Sequence, residues 1–141
     1  MKTVLVIEDD ANVVEWIAAE MGRDGWNIVS TGRYAAALET LTRESFDLVI
    51  LDLKLPDSEI DKTLASLPGI RALAKCTPVI VMTGHPSFFT TRPECDAMLL
   101  KPFNGADLMA SVKQATSTNR QCRALPSLAS MLLKAPVQQT A

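Results

Sequence analysis

Leu48-Val49-Ile50-Leu51-Asp52-Leu53-Lys54-Leu55-Pro56 is an apolar run that breaks on one carboxylate and then on a proline. Four apolar residues in succession, two of them branched at Cβ, predict a strand buried on both faces, as a central parallel strand is. Asp52 then stands at the carboxyl end of that strand. In open α/β sheets ligands bind at this end, which makes the carboxylate a chemical candidate, although aspartate also opens ordinary turns.

Other stretches end in the same way. Val4-Leu5-Val6-Ile7 predicts a buried strand and stops on Glu8, Asp9 and Asp10. Pro78-Val79-Ile80-Val81-Met82 stops at Thr83-Gly84-His85, and Met98-Leu99-Leu100 stops at Lys101-Pro102-Phe103. Trp26 to Ser30 adds a short second strand. Between these runs the apolar spacing predicts helices: Val14, Ile17, Ala18 and Met21 mark the first, opened by a capping box of Asn12 with Glu15 and closed near Gly22 and Gly25. Ala35, Leu38 and Leu41 mark the second. Leu64, Leu67, Ile70 and Leu73 mark another, where Pro68-Gly69 predicts a break or kink. A last helix runs from about Gly105 through Leu108, Met109 and Val112 to Ala115. Strands alternating with helices imply right-handed crossovers and a parallel sheet with helices on both faces.

The length, 141 residues, suits one domain with a single sizeable core. A formal charge of -2 provides no bulk attraction for nucleic acid or an anionic membrane. Only four apolar residues separate Thr3 from Glu8, too few for a signal sequence, and no run approaches the roughly eighteen apolar residues of a membrane span. Cys76, Cys95 and Cys122 are odd in number and widely spaced, which suggests neither a zinc site nor a disulfide framework and fits a reducing cytoplasm. From about Ser117 the composition turns polar. The expected division is therefore a domain over residues 1–118 and a tail over residues 119–141, in which Leu125, Leu128, Ala129 and Leu132 fall on one face of a short amphipathic helix that needs a surface to be stable.

A parallel sheet collects Glu8 and Asp9, Asp52, Thr83 and Lys101 on one rim. Converging carboxylates raise one another's pKa unless a cation lies among them, and oxygen donors of this kind suit Mg2+. A lysine and a hydroxyl on the same rim add donors for a charged oxygen, so the set is suited to holding a phosphoryl group on one carboxylate.

These four stretches, each closing a strand and in this order, resemble the receiver domain of bacterial two-component response regulators over residues 1 to about 116. The resemblance implies a flavodoxin-like, doubly wound five-stranded parallel sheet in the order 2-1-3-4-5. It also implies that Asp52 is the phosphoacceptor for a sensor histidine kinase or a histidine phosphotransfer protein, with Mg2+ held by Glu8, Asp9, Asp52 and the backbone carbonyl of Lys54. Lys101 would pair with the carboxylate before transfer and with a phosphoryl oxygen after it, and Thr83 would act as the switch hydroxyl. The peptide before Pro102 is expected to be cis. Such a protein is a signalling phosphoacceptor rather than an enzyme acting on a separate substrate. It works in the cytoplasm through an unidentified protein effector or a homodimer, without binding nucleic acid or membrane.

Three departures from the family pattern bear on this reading. Met98 stands where an aromatic residue is usual, Ile60 replaces a usual glycine eight residues after the acceptor, and only 17 residues separate Thr83 from Lys101. That short connection contains Pro86 and Pro93, which predicts a shortened or irregular fourth helix and a poorly formed dimerisation face. Phe88 and Phe89 are adjacent there, so one is expected to be exposed. His85 and Lys54 lie at positions that tune dephosphorylation in receivers, but both also suit exposed loops. Trp16 and Trp26 read as packing residues. The alternative function is a pseudo-receiver, a binding module that works without phosphorylation. A haloacid dehalogenase phosphatase needs a second aspartate where this chain has Lys54, and a dinucleotide-binding fold needs a glycine-rich turn after the first strand. The 25 residues after Thr116 are too few for a helix-turn-helix output domain.

Overall fold

The computed structural model describes residues 2–87 and 95–117. Five strands form one parallel sheet in the order β2-β1-β3-β4-β5. They are β1 (Thr3–Ile7), β2 (Asn27–Thr31), β3 (Leu48–Asp52), β4 (Val79–Thr83) and β5 (Ala97–Leu100). The helices are α1 (Ala11–Gly22), α2 (Tyr34–Arg43), α3 (Ile60–Ala74) and α4 (Gly105–Ser117). Strands β3 and β4 are buried at every position, as the unbroken apolar runs require of strands covered on both faces.

Alternation along the strands divides the interior in two. Val4, Val6, Leu48, Ile50, Ile80 and Met82 point to one face, where Ile17 and Met21 of α1 and Leu108, Val112 and Ala115 of α4 cover them. Leu5, Ile7, Val49, Leu51, Val79 and Val81 point to the other, under Ala37 and Leu41 of α2 and Leu67, Ile70 and Ala74 of α3. Register is pinned between buried neighbours, with Val6 opposite Ile50 and Ile50 opposite Ile80. A slip of one residue would turn each apolar set toward the wrong helix layer. Trp26 is buried with Lys2 over its ring, and Trp16 meets Phe103 edge to face at 5.5 Å between ring centroids, so both tryptophans are packing residues.

Two local expectations are corrected. The cap of α1 is Asp10, whose carboxylate accepts the Asn12 N–H at 2.9 Å, and not Asn12 itself. Helix α3 runs unbroken from Ile60 to Ala74 with Pro68 inside it. Pro68 and Gly69 lie on its exposed side while Leu67 and Ile70 are buried against the sheet, and that burial offsets the hydrogen bond the proline cannot make. Cys95 is a free, half-buried thiol.

The expected irregular fourth helix, with Phe88 and Phe89, falls on residues 88–94, and the expected tail helix falls on residues 118–141. Both lie outside the described residues. Met98 is half-buried in β5 and packs against the core layer under α2 and α3. Among the described residues no helix is long and apolar enough to cross a membrane.

Candidate functional site

Because all five strands run the same way, their carboxyl ends share one edge, and the polar residues that terminate four of them meet there. Glu8 follows β1, Asp52 is the last residue of β3, Thr83 the last of β4, and Lys101 follows β5. The cavity they line measures about 500 Å³ and also admits Asp9, Lys54 and His85.

Burial gives this cluster its electrostatic character. Glu8, Asp52 and Thr83 are only 3%, 6% and 1% exposed. Asp9 is exposed at the mouth. One oxygen from each of Glu8, Asp9 and Asp52 lies within 4.8 Å of the others. Lys101 Nζ donates to Glu8 Oε2 at 2.9 Å and lies 3.3 Å from Asp52 Oδ2. Burial, and then the adjoining Asp52 carboxyl, push the Glu8 pKa up to about 7 despite the lysine. Burial alone would lower the Lys101 pKa, but the bond to Glu8 and the charge of Asp52 outweigh it and the net shift is upward.

With all three ionised, the carboxylates facing one ammonium leave the charge of two uncompensated. Hard oxygen donors with that deficit fit a divalent cation of the magnesium type. The same arrangement can accept a phosphoryl group on Asp52, since a cation and Lys101 would face its oxygens.

The backbone holds these groups in place. Glu8 N–H donates to the Thr31 carbonyl at 2.9 Å, and Lys101 N–H donates to the Thr83 carbonyl at 2.8 Å. The Lys101-Pro102 peptide is cis, as expected. Asp52 Oδ1 accepts the Lys54 N–H at 3.3 Å, and Thr83 Oγ1 accepts the His85 N–H at 3.1 Å. Every residue expected at the site from the sequence is therefore gathered on this edge. Sequence reasoning passed over Asp10, which caps α1 and also lines the cavity. Its position directly before Ala11 was the available signal, since aspartate is a preferred helix cap.

The chain matches the response regulator receiver domain family over residues 4–113. It is 35% identical over 113 residues to the transcriptional activator protein PfeR of Pseudomonas aeruginosa, covering 76% of this chain and 35% of PfeR. It is 29% identical over 116 residues to the transcriptional regulatory protein ZraR of Escherichia coli, covering 79% of this chain and 26% of ZraR. The chain thus spans about a third or less of the length of these relatives. Among solved structures, the response regulator TrrA of Thermotoga maritima, determined in complex with Mg2+ and BeF, superposes with a TM-score of 0.71 at 27% identity, covering 82% of this chain and 99% of TrrA. A CheY-like receiver domain protein of Methanospirillum hungatei superposes with a TM-score of 0.70 at 25% identity, covering 81% and 92%. With the family matched across nearly all of the sheet and its helices, and the strand order and acidic edge in agreement, this chain belongs to the response regulator receiver domains of two-component systems.

Proposed function

We propose that the protein takes a phosphoryl group from a phosphohistidine onto Asp52 and signals through a protein partner. The observation that carries this reading is the position of Lys101 Nζ, 2.9 Å from Glu8 and 3.3 Å from Asp52, the two buried carboxylates at the strand ends. Glu8, Asp9 and Asp52, with the backbone carbonyl of Lys54, would hold Mg2+. When bound, that ion neutralises charge on the phosphoryl oxygens. A carboxylate oxygen of Asp52 attacks phosphorus; the new P–O bond forms as the P–N bond breaks, and the imidazole nitrogen leaves with the electron pair. Lys101 shifts its ion pair from the carboxylate to a phosphoryl oxygen, and the Thr83 hydroxyl turns toward the same group. Chemistry of this kind requires positioning and charge compensation more than proton transfer.

The donor is a sensor histidine kinase or a histidine phosphotransfer protein, and the protein acts in the cytoplasm. Its output is contact with an effector or with a second copy of the chain. The pseudo-receiver reading has less support, because a constitutive binding module needs no buried cluster of Glu8, Asp52, Thr83 and Lys101.

Beryllofluoride, a phosphoryl mimic, tests the site without a kinase. With Mg2+ present it should shift the amide resonances of Thr83 and Lys101 in the wild type and leave them unmoved in Asp52→Asn. Equal shifts in both proteins would remove Asp52 from its role.

A further inference from the structure

Helix α2 lacks a cap of its own. Arg33 occupies its N-cap with extended backbone and makes no side-chain hydrogen bond to the helix. The first amides are satisfied from elsewhere in the chain: Asp57 Oδ1 accepts the Tyr34 N–H at 2.7 Å and Asp57 Oδ2 accepts the Ala35 N–H at 3.0 Å. Both oxygens of one carboxylate are thus committed to a helix more than twenty residues away, where its charge also complements the helix dipole.

Asp57 sits at the tip of a closed turn. Leu55 and Ser58 exchange two backbone hydrogen bonds, Leu55 N–H to the Ser58 carbonyl at 3.1 Å and the reverse at 3.2 Å. Behind the turn, the Ser58 and Thr63 hydroxyls are hydrogen-bonded at 2.8 Å and tie it to α3. Ahead of it, Leu53 and Leu55 are buried and flank Lys54, whose side is turned to the cavity edge. The segment preceding α2 touches the other side of the site. The Thr31 carbonyl accepts the Glu8 N–H, and Gly32 lies so close to Asp9 that a Cβ there would stand 3.4 Å from the Asp9 Cα.

We infer that Asp57 is a positioning residue that clasps the loop after β3 to the start of α2, and thereby sets the spacing between the Lys54 carbonyl and the Glu8–Asp9 pair. The inference rests on the phosphoacceptor reading, since it assigns the Lys54 carbonyl to the same cation as those acids. This carboxylate joins the loop after β3 to the start of α2, whose preceding segment rests on Glu8 and Asp9, and the relative spacing of these segments is what a cation with strict geometry demands.

The test separates a clasp from an ordinary cap. Mg2+ affinity is measured by calorimetry, and amide hydrogen exchange at Lys54 and Leu55 and the melting temperature are measured without metal. Asp57→Ala should weaken Mg2+ binding about tenfold, as loss of a group that orients metal ligands does, and speed exchange at Lys54 and Leu55. Adding Arg33→Ser to that variant gives α2 a local cap and should restore the melting temperature, while Mg2+ affinity and exchange stay at the Asp57→Ala values. Recovery of all three together would reduce Asp57 to a helix cap and overturn the inference. If Asp57→Ala does not fold, Asp57→Asn, which keeps one acceptor oxygen, should still bind Mg2+ several-fold more weakly, and wild-type affinity in it would overturn the clasp. A wild type that fails to bind Mg2+ would instead sink the phosphoacceptor reading itself, and the clasp with it.

Discussion

Glu8 carries the clearest electrostatic tension among the described residues. Its carboxyl is buried beside Asp52, and its pKa rises to about 7 from an ordinary value near 4.5. The folded protein therefore holds a proton on Glu8 between those values that the unfolded chain has released. Stability falls as pH climbs through that window, and the full cost is present above 7. Glu8→Gln removes the titration but keeps an acceptor for Lys101. In a chelator, the variant should melt above the wild type at pH 8, and the gap should close as pH falls toward 4.5. A wild type that is the more stable protein at pH 8 would mean that the Lys101 pair dominates burial. The site residues were legible in the sequence because each terminates an apolar run, and a parallel sheet brings such ends together. Asp57 was not, since its partners Tyr34 and Ala35 lie in another element and no local spacing encodes a cap supplied across the fold.

Helix α3 shows how packing overrides a local rule. Pro68 removes one helical hydrogen bond, yet the helix continues because Leu67 and Ile70, on either side of the proline and glycine, are buried against β3 and β4. With Pro68 on the exposed face, Pro68→Ala should restore an N–H donor without disturbing the core. The expected gain is about 2 kcal/mol, read as a higher urea midpoint at unchanged slope. A lower midpoint would show that the proline's restriction of the unfolded chain outweighs the missing bond. Strand positions were readable to within a residue or two, because β-branched runs such as Val79 to Val81 leave little choice. Helix starts were less so. Asn12 with Glu15 has the spacing of a capping box, but Asp10 lies at the position where its carboxylate reaches the free amide of Asn12.

At the scale of the molecule, the order β2-β1-β3-β4-β5 makes β1, β3 and β4 the three central strands and gathers their chemistry at one edge. This topology followed from the alternation of strands and helices together with the resemblance carried by four motifs. What the whole fold produces is a buried carboxylate, Asp52, faced by a lysine and two further acids, and the central claim is that this carboxylate accepts phosphate. Intact-protein mass spectrometry after incubation with acetyl phosphate tests it most directly. The account predicts the added mass of one phosphoryl group on the wild type with Mg2+, none in a chelator, and none on Asp52→Asn. Labelling of Asp52→Asn to the wild-type extent, or labelling of the wild type that is indifferent to Mg2+, would contradict it.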